Sequence, residues 1–181
     1  MVVSAANPTV FADGGNGGVR CAHPTLRAHM HCIAWVGSIV EIFGLSCITE
    51  GIGGERVTYI SNPHHRSAGH NAVKSQWNIS IADEMQCYLG AVENHWMANN
   101  SYWGLHLIEV RPVVLGSAPS NDALYIAKFV SNQGIWHGYP VAHWLSPYDK
   151  PQMPVLESWV AGGFINRAKK ARIHRGKKCA L

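Results

Sequence analysis

The apolar positions fall into a clear pattern only in the second half of the chain. Ile81, Met85, Tyr88 with Leu89, Val92 and Trp96 recur at the spacing of one helix face, which predicts a helix over 81–98. Ser80 ahead of Asp83 and Glu84 makes a capping-box-like start, with Asp in the usual Glu or Gln place. Asn99, Asn100 and Ser101 end it. From Trp103 to Val110 the pattern changes to alternation, Trp103, Leu105 and Leu107 against Gly104, His106 and Ile108, and predicts a strand closed by Pro112. Residues 116–122 read as a loop, 123–130 as a second strand, 132–134 as a turn and 135–143 as an extended segment. Residues 146–154 form a Pro-rich connector. Pro154 suits a helix start, Val155, Leu156, Trp159 and Val160 make a short helical face, and Gly162 and Gly163 supply its C-cap. The basic residues 164–173 read as a final strand.

Upstream the pattern is weaker. Residues 1–32 have loop composition, with ADGGNGG at 12–18, and residues 33–48 read as a short buried helix or strand. Residues 49–75 show no period. The chain therefore divides into a Gly/Ala/His-rich segment over 1–75 and an α+β domain over 76–181. The first is a loosely structured arm, an oligomerisation arm or a weakly constrained extension of the reading frame. The expected architecture of the second is a small, mostly antiparallel sheet against one long helix and a short C-terminal helix. No βαβ period, internal repeat or coiled-coil heptad is visible.

The 181 residues suit one domain of ordinary size, and a hydrophobic share of 47% excludes wholesale disorder. Charged residues are sparse, at 14% against a usual ~25%. The net charge of +4 hides an asymmetry: residues 1–75 carry +1, residues 76–160 carry −4 and residues 161–181 carry +7. Arg167, Lys169, Lys170, Arg172, Arg175, Lys177 and Lys178 form a cluster suited to phosphates or an acidic partner; the plainer reading is a solvated strand or tail. Five cysteines at irregular spacing, without a secretory leader, predict reduced thiols in the cytoplasm. The longest apolar stretch, Ile33 to Ile48, is interrupted by Glu41, two Gly and two Ser and falls short of the ~20 residues of a membrane span.

The densest constellation is Trp136-His137-Gly138-Tyr139-Pro140 with His143 and Trp144. His137 suits a general base or ligand, Gly138 a close backbone approach, and Trp136, Tyr139 and Trp144 stacking on a planar ligand. The alternative is that these rings pack the core. In an extended strand His137 and Tyr139 share one face, and Trp136 and Gly138 the other.

This motif resembles, together with Val155-Leu156-x-x-Trp159, Gly163, Ile165 and Gly176-Lys177-Lys178-Cys179, a group of small uncharacterised bacterial proteins carried on mobile DNA, including integron gene-cassette contexts. The likeness covers roughly residues 80–179. It implies a single small domain and supplies no catalytic residues.

Two further clusters are weaker. Cys21, His23, His29, His31 and Cys32 offer metal-ligand types within a short span, but not at finger spacing, and His64, His65 and His70 add imidazoles without order; loose His and Cys is the stronger reading, and no metal site is assigned. Glu93, His95, His106 and Glu109 are the candidates for acid–base chemistry. Regular alternation puts Glu109 on the face of Trp103, Leu105 and Leu107, away from His106, where an ion pair with Arg111 is expected. P-loop, dinucleotide, nucleophile-elbow and zincin motifs are all missing, and no cofactor is implied.

Three readings follow. The first is a non-enzymatic binding module, its basic segment on phosphates or an acidic protein and its aromatics on exposed bases. The second is a small hydrolase- or transferase-like enzyme with His137 or His143 as base and Tyr139 as donor. The third is a homo-oligomer whose apolar subunit contact explains the low charge and seven Trp.

Overall fold

The computed structural model describes residues 41–43, 46–50, 56–66 and 73–181. All of them belong to one compact unit, Val36–Leu181. The strands are β1 (Glu41–Phe43), β2 (Ser46–Glu50), β3 (Arg56–Ile60), β4 (Gln76–Trp77), β5 (Met97–Ala98), β6 (Ser101–Leu105), β7 (Leu107–Ile108), β8 (Arg111–Pro112), β9 (Gly116–Ser117), β10 (Ala123–Leu124), β11 (Ile126–Asn132) and β12 (Ile135–Val141). The helices are α1 (Ile81–Glu93), α2 (Met153–Ala161) and α3 (Arg167–His174), with short 3₁₀ turns at Pro63–His65 and Pro147–Asp149.

The main sheet runs β1-β2-β3-β12-β11-β6-β5. Every pairing in it is antiparallel except β3 with β12. The fold is thus α+β, with a mostly antiparallel sheet, as the element order predicts. Three of its strands precede residue 75, so the change in composition there is not an edge of the sheet.

One face of the sheet receives α1. Ser80 caps the helix, its hydroxyl accepting from the Asp83 amide at 3.1 Å and donating to the Asp83 carboxylate at 2.7 Å. Met85, Tyr88, Ala91 and Val92 are buried along it. Tyr88 stacks on Tyr59 of β3, ring centroids 4.6 Å apart, and meets the edge of Phe129 at 5.3 Å. Gly138 lies beneath that ring: a Cβ there would sit 2.3 Å from Phe129 Cδ1.

Several predicted elements end elsewhere. The long helix stops at Glu93, not 98. His95 takes φ +52°, and the Trp96 amide donates back to the Ala91 carbonyl at 2.9 Å, a hydrogen-bonded helix stop that turns the chain into β5. The strand expected over 103–110 breaks after Leu105. Glu109 (φ +49°) and Val110 (φ +68°) then form the two-residue loop of a separate β7–β8 hairpin. Alternation does not run through that break, so Glu109 and Arg111 are exposed and make no ion pair with each other. The expected loop over 116–122 opens with β9, and the strand over 123–130 divides into β10 and β11.

The final basic segment is a helix, not a strand. Asn166 caps α3 by accepting from the Lys169 amide at 2.8 Å. Ala168, Ala171, Lys and Arg are strong helix formers. Ile173 is fully buried and Ile165 nearly so, which anchors the segment to the core. The short preceding helix, α2, is where the pattern placed it, with Pro154 in its first turn and Val155, Leu156 and Trp159 buried.

Candidate functional site

The aromatic and histidine run at 136–144 is divided among three environments. Trp136 belongs to the core, tilted against Tyr102 at 4.9 Å and Tyr88 at 6.1 Å. His137 and Tyr139 share the opposite face of β12, as alternation requires, and both are half-buried. His143 and Trp144 lie past the strand end, beside the C-terminal segment. The sequence-predicted site residues are therefore not one site.

Tyr139 has a partner that no local pattern indicates. His65 stacks on its ring, centroids 5.2 Å apart and planes 18° from parallel. The Nδ1–H of His65 donates to the Ser75 carbonyl at 2.8 Å, which leaves Nε2 as the acceptor nitrogen. Burial lowers the His65 pKa, and Lys74 and His137 act in the same direction. The Tyr139 hydroxyl donates to Asp149 Oδ1 at 3.4 Å; burial, with Asp149 beside it, pushes the phenol up. Lys128 Nζ lies 3.6 Å from the same carboxylate oxygen, donates to the Tyr148 carbonyl at 2.7 Å and sits 5.5 Å from the Trp103 ring centre. This cluster is held by contacts among its own members.

His143 is buried, and its Nε2–H donates to the Lys177 carbonyl at 3.2 Å. Burial lowers its pKa. It ties the C-terminal segment to the chain after β12 rather than joining His137 and Tyr139. Trp144 meets His143 edge-on at 5.1 Å, and Lys178 Nζ lies 5.5 Å from its ring centre. Lys178 also pairs with Asp122, whose carboxyl is held below its usual range by Lys178 and Ser120.

The basic residues are set by α3 and the turn that follows. Ile173 fixes the buried side of the helix, and a 100° step per residue then places Arg167, Arg172 and Arg175 around the opposite side. All three are exposed. Among the described residues, two of the seven cations have carboxylate partners: Lys178 with Asp122, and Lys170 with Glu157 at 4.0 Å. Arg172 donates to the Lys178 carbonyl at 2.7 Å and also lies against the Cys179 thiol, and Arg175 donates to the Ala171 carbonyl at 3.1 Å. Arg167, Lys169, Arg172, Arg175 and Lys177 are thus cations without a carboxylate partner. Lys150 extends this surface: its Nζ donates to the His174 carbonyl at 2.9 Å, at the C-terminal end of α3. Neither Lys150 nor the adjoining Tyr148 carries a sequence signal, since both sit in the Pro-rich connector.

Among the described residues no group of three or more His, Cys, Asp or Glu is arranged to hold a metal ion. The Cys21, His23, His29, His31 and Cys32 cluster lies outside them, as does His70. Nor is any described helix long and apolar enough to cross a membrane. No family model, curated protein or solved structure matches the chain.

Proposed function

We propose that the chain is a binding module that holds nucleic acid by its phosphates, on the exposed side of α3 and the turn after it. The observation that carries this reading is a set of five cations without a carboxylate partner among the described residues, on α3 and the turn after it: Arg167, Arg172, Arg175 and Lys177 exposed, and Lys169 half-buried. Side chains of one sign, left without a carboxylate partner, repel one another; a bound anion removes that repulsion. Three of the five are arginines, whose planar guanidinium matches a phosphate with two parallel hydrogen bonds. Phosphate contact of this kind positions a nucleic acid without reading its sequence.

The test is retention on an immobilised nucleic acid at low salt. Arg167, Arg172 and Arg175 replaced together by Gln should elute at markedly lower salt, with an unchanged unfolding temperature. Neutralisation is preferable to deletion here, because removing α3 also removes Ile173 from the core. Wild-type protein that passes through unretained overturns the reading. Retention on an acidic polypeptide and not on nucleic acid redirects it to an acidic protein partner.

A further inference from the structure

We infer that the nucleic acid is single-stranded and that Tyr148 is the platform on which one of its bases stacks. This rests on the reading of the α3 surface given above and adds to it a ligand class and a residue.

Tyr148 is 82% exposed and is the aromatic residue among the large exposed apolar side chains of the described part of the chain. A lone exposed tyrosine is ordinary. This one has its backbone fixed on both sides, while its ring meets no other aromatic ring or cation among the described residues. Its amide donates to Ser146 Oγ at 3.2 Å, and its carbonyl accepts from Lys128 Nζ at 2.7 Å. The Asp149 amide closes the same turn on the Ser146 carbonyl at 3.2 Å. The other candidate platforms are occupied. Trp136 is in the core, Tyr139 is covered by His65, and Trp144 has Lys178 over its ring.

The turn is also joined to the basic helix. Lys150, two residues on, reaches the His174 carbonyl at the end of α3. Asp149, next in the chain after Tyr148, is paired with Lys128 at 3.6 Å. α3 is ~12 Å long by its eight residues, and Lys150 joins its C-terminal end to the turn that carries Tyr148. A basic track ending in an exposed aromatic is the arrangement that holds single strands, because their bases are free to stack. A duplex keeps its bases paired and gains nothing from the ring.

The experiment is fluorescence-anisotropy titration of the full chain with a labelled strand of about 15 nucleotides, the same strand as a duplex, and polyglutamate. Wild type should prefer the single strand. Tyr148→Ala should weaken single-strand binding about 5- to 100-fold and leave duplex binding unchanged, while Tyr148→Phe and Tyr148→Trp keep it. The side chain is exposed, so the unfolding temperature should not move. Equal binding by wild type and Tyr148→Ala overturns the inference, as does equal weakening toward strand and duplex. If all three polyanions bind alike, the inference fails while the polyanion surface stands; if none binds, both fail.

Discussion

The hydroxyl of Tyr59 on β3 donates to the carboxylate of Glu84 on α1, and both side chains are fully buried. Glu84 also accepts from Ser61 at 2.8 Å and from Arg66 Nε at 2.8 Å, with Arg66 Nη2 on the same oxygen. Arg66 in turn donates to the Ile79 carbonyl at 2.9 Å and the Ser80 carbonyl at 3.2 Å. Together these side chains pin the start of α1 to β3 and the turn after it. Glu84→Ala removes the acceptor shared by two buried hydroxyls and a guanidinium, and should cost about 2–4 kcal/mol by urea denaturation. Glu84→Gln should cost less. A loss under about 1 kcal/mol for the alanine variant contradicts the role assigned to this network.

Gly138 is the second structural test. Its added Cβ would lie 2.3 and 2.4 Å from two atoms of the buried Phe129 ring. That ring is fully buried and packed by Tyr59 and Tyr88. Gly138→Ala should destabilise by about 1–3 kcal/mol, and Gly138→Ala with Phe129→Leu should recover part of the loss.

The β7–β8 hairpin stores strain. Val110 is β-branched yet adopts φ +68°, beside Glu109 at φ +49°. A two-residue loop of this kind favours Asn-Gly. Replacing Glu109 and Val110 by Asn and Gly should raise stability by about 0.5–1 kcal/mol, seen as a higher denaturation midpoint. A lower midpoint indicates that the two side chains make stabilising contacts in the native state.

His65 and His143 both have pKa values lowered by burial. In the unfolded chain they return to the ordinary value near 6.5, so below that pH the unfolded state binds more protons than the native one. Their contribution to stability is therefore intact above about pH 6.5 and falls as the pH drops further. The denaturation midpoint should fall between pH 7.5 and pH 5, and His65→Gln should flatten that fall. An identical pH profile for wild type and variant removes His65 from the account.

The amphipathic period of α1, its Ser80 cap, α2 and the β11–β12 hairpin are legible in the sequence because each is specified locally. So is the shared face of His137 and Tyr139. The breaks are less visible. His95 and Val110 take left-handed conformations without a glycine to announce them. α3 reads as a strand when its single buried position, Ile173, gives no period to detect. The partners of the site residues are far away in sequence: His65 stacks on Tyr139 and Lys177 holds His143. No spacing rule connects such pairs. The split of the 136–144 run into core, sheet face and C-terminal surface follows from where β12 ends, and that boundary is set by the sheet as a whole.

The most direct test of the α3 surface as a phosphate-binding face is the salt dependence of its affinity for a single strand. Five cations without a carboxylate partner among the described residues predict that log Kobs falls with log salt at a slope of about −2 to −4. Replacing Arg167, Arg172 and Arg175 by Gln should reduce the magnitude of that slope by about 2, through loss of three phosphate contacts. A slope that is flat in the wild type, or the same in the triple variant, contradicts the account.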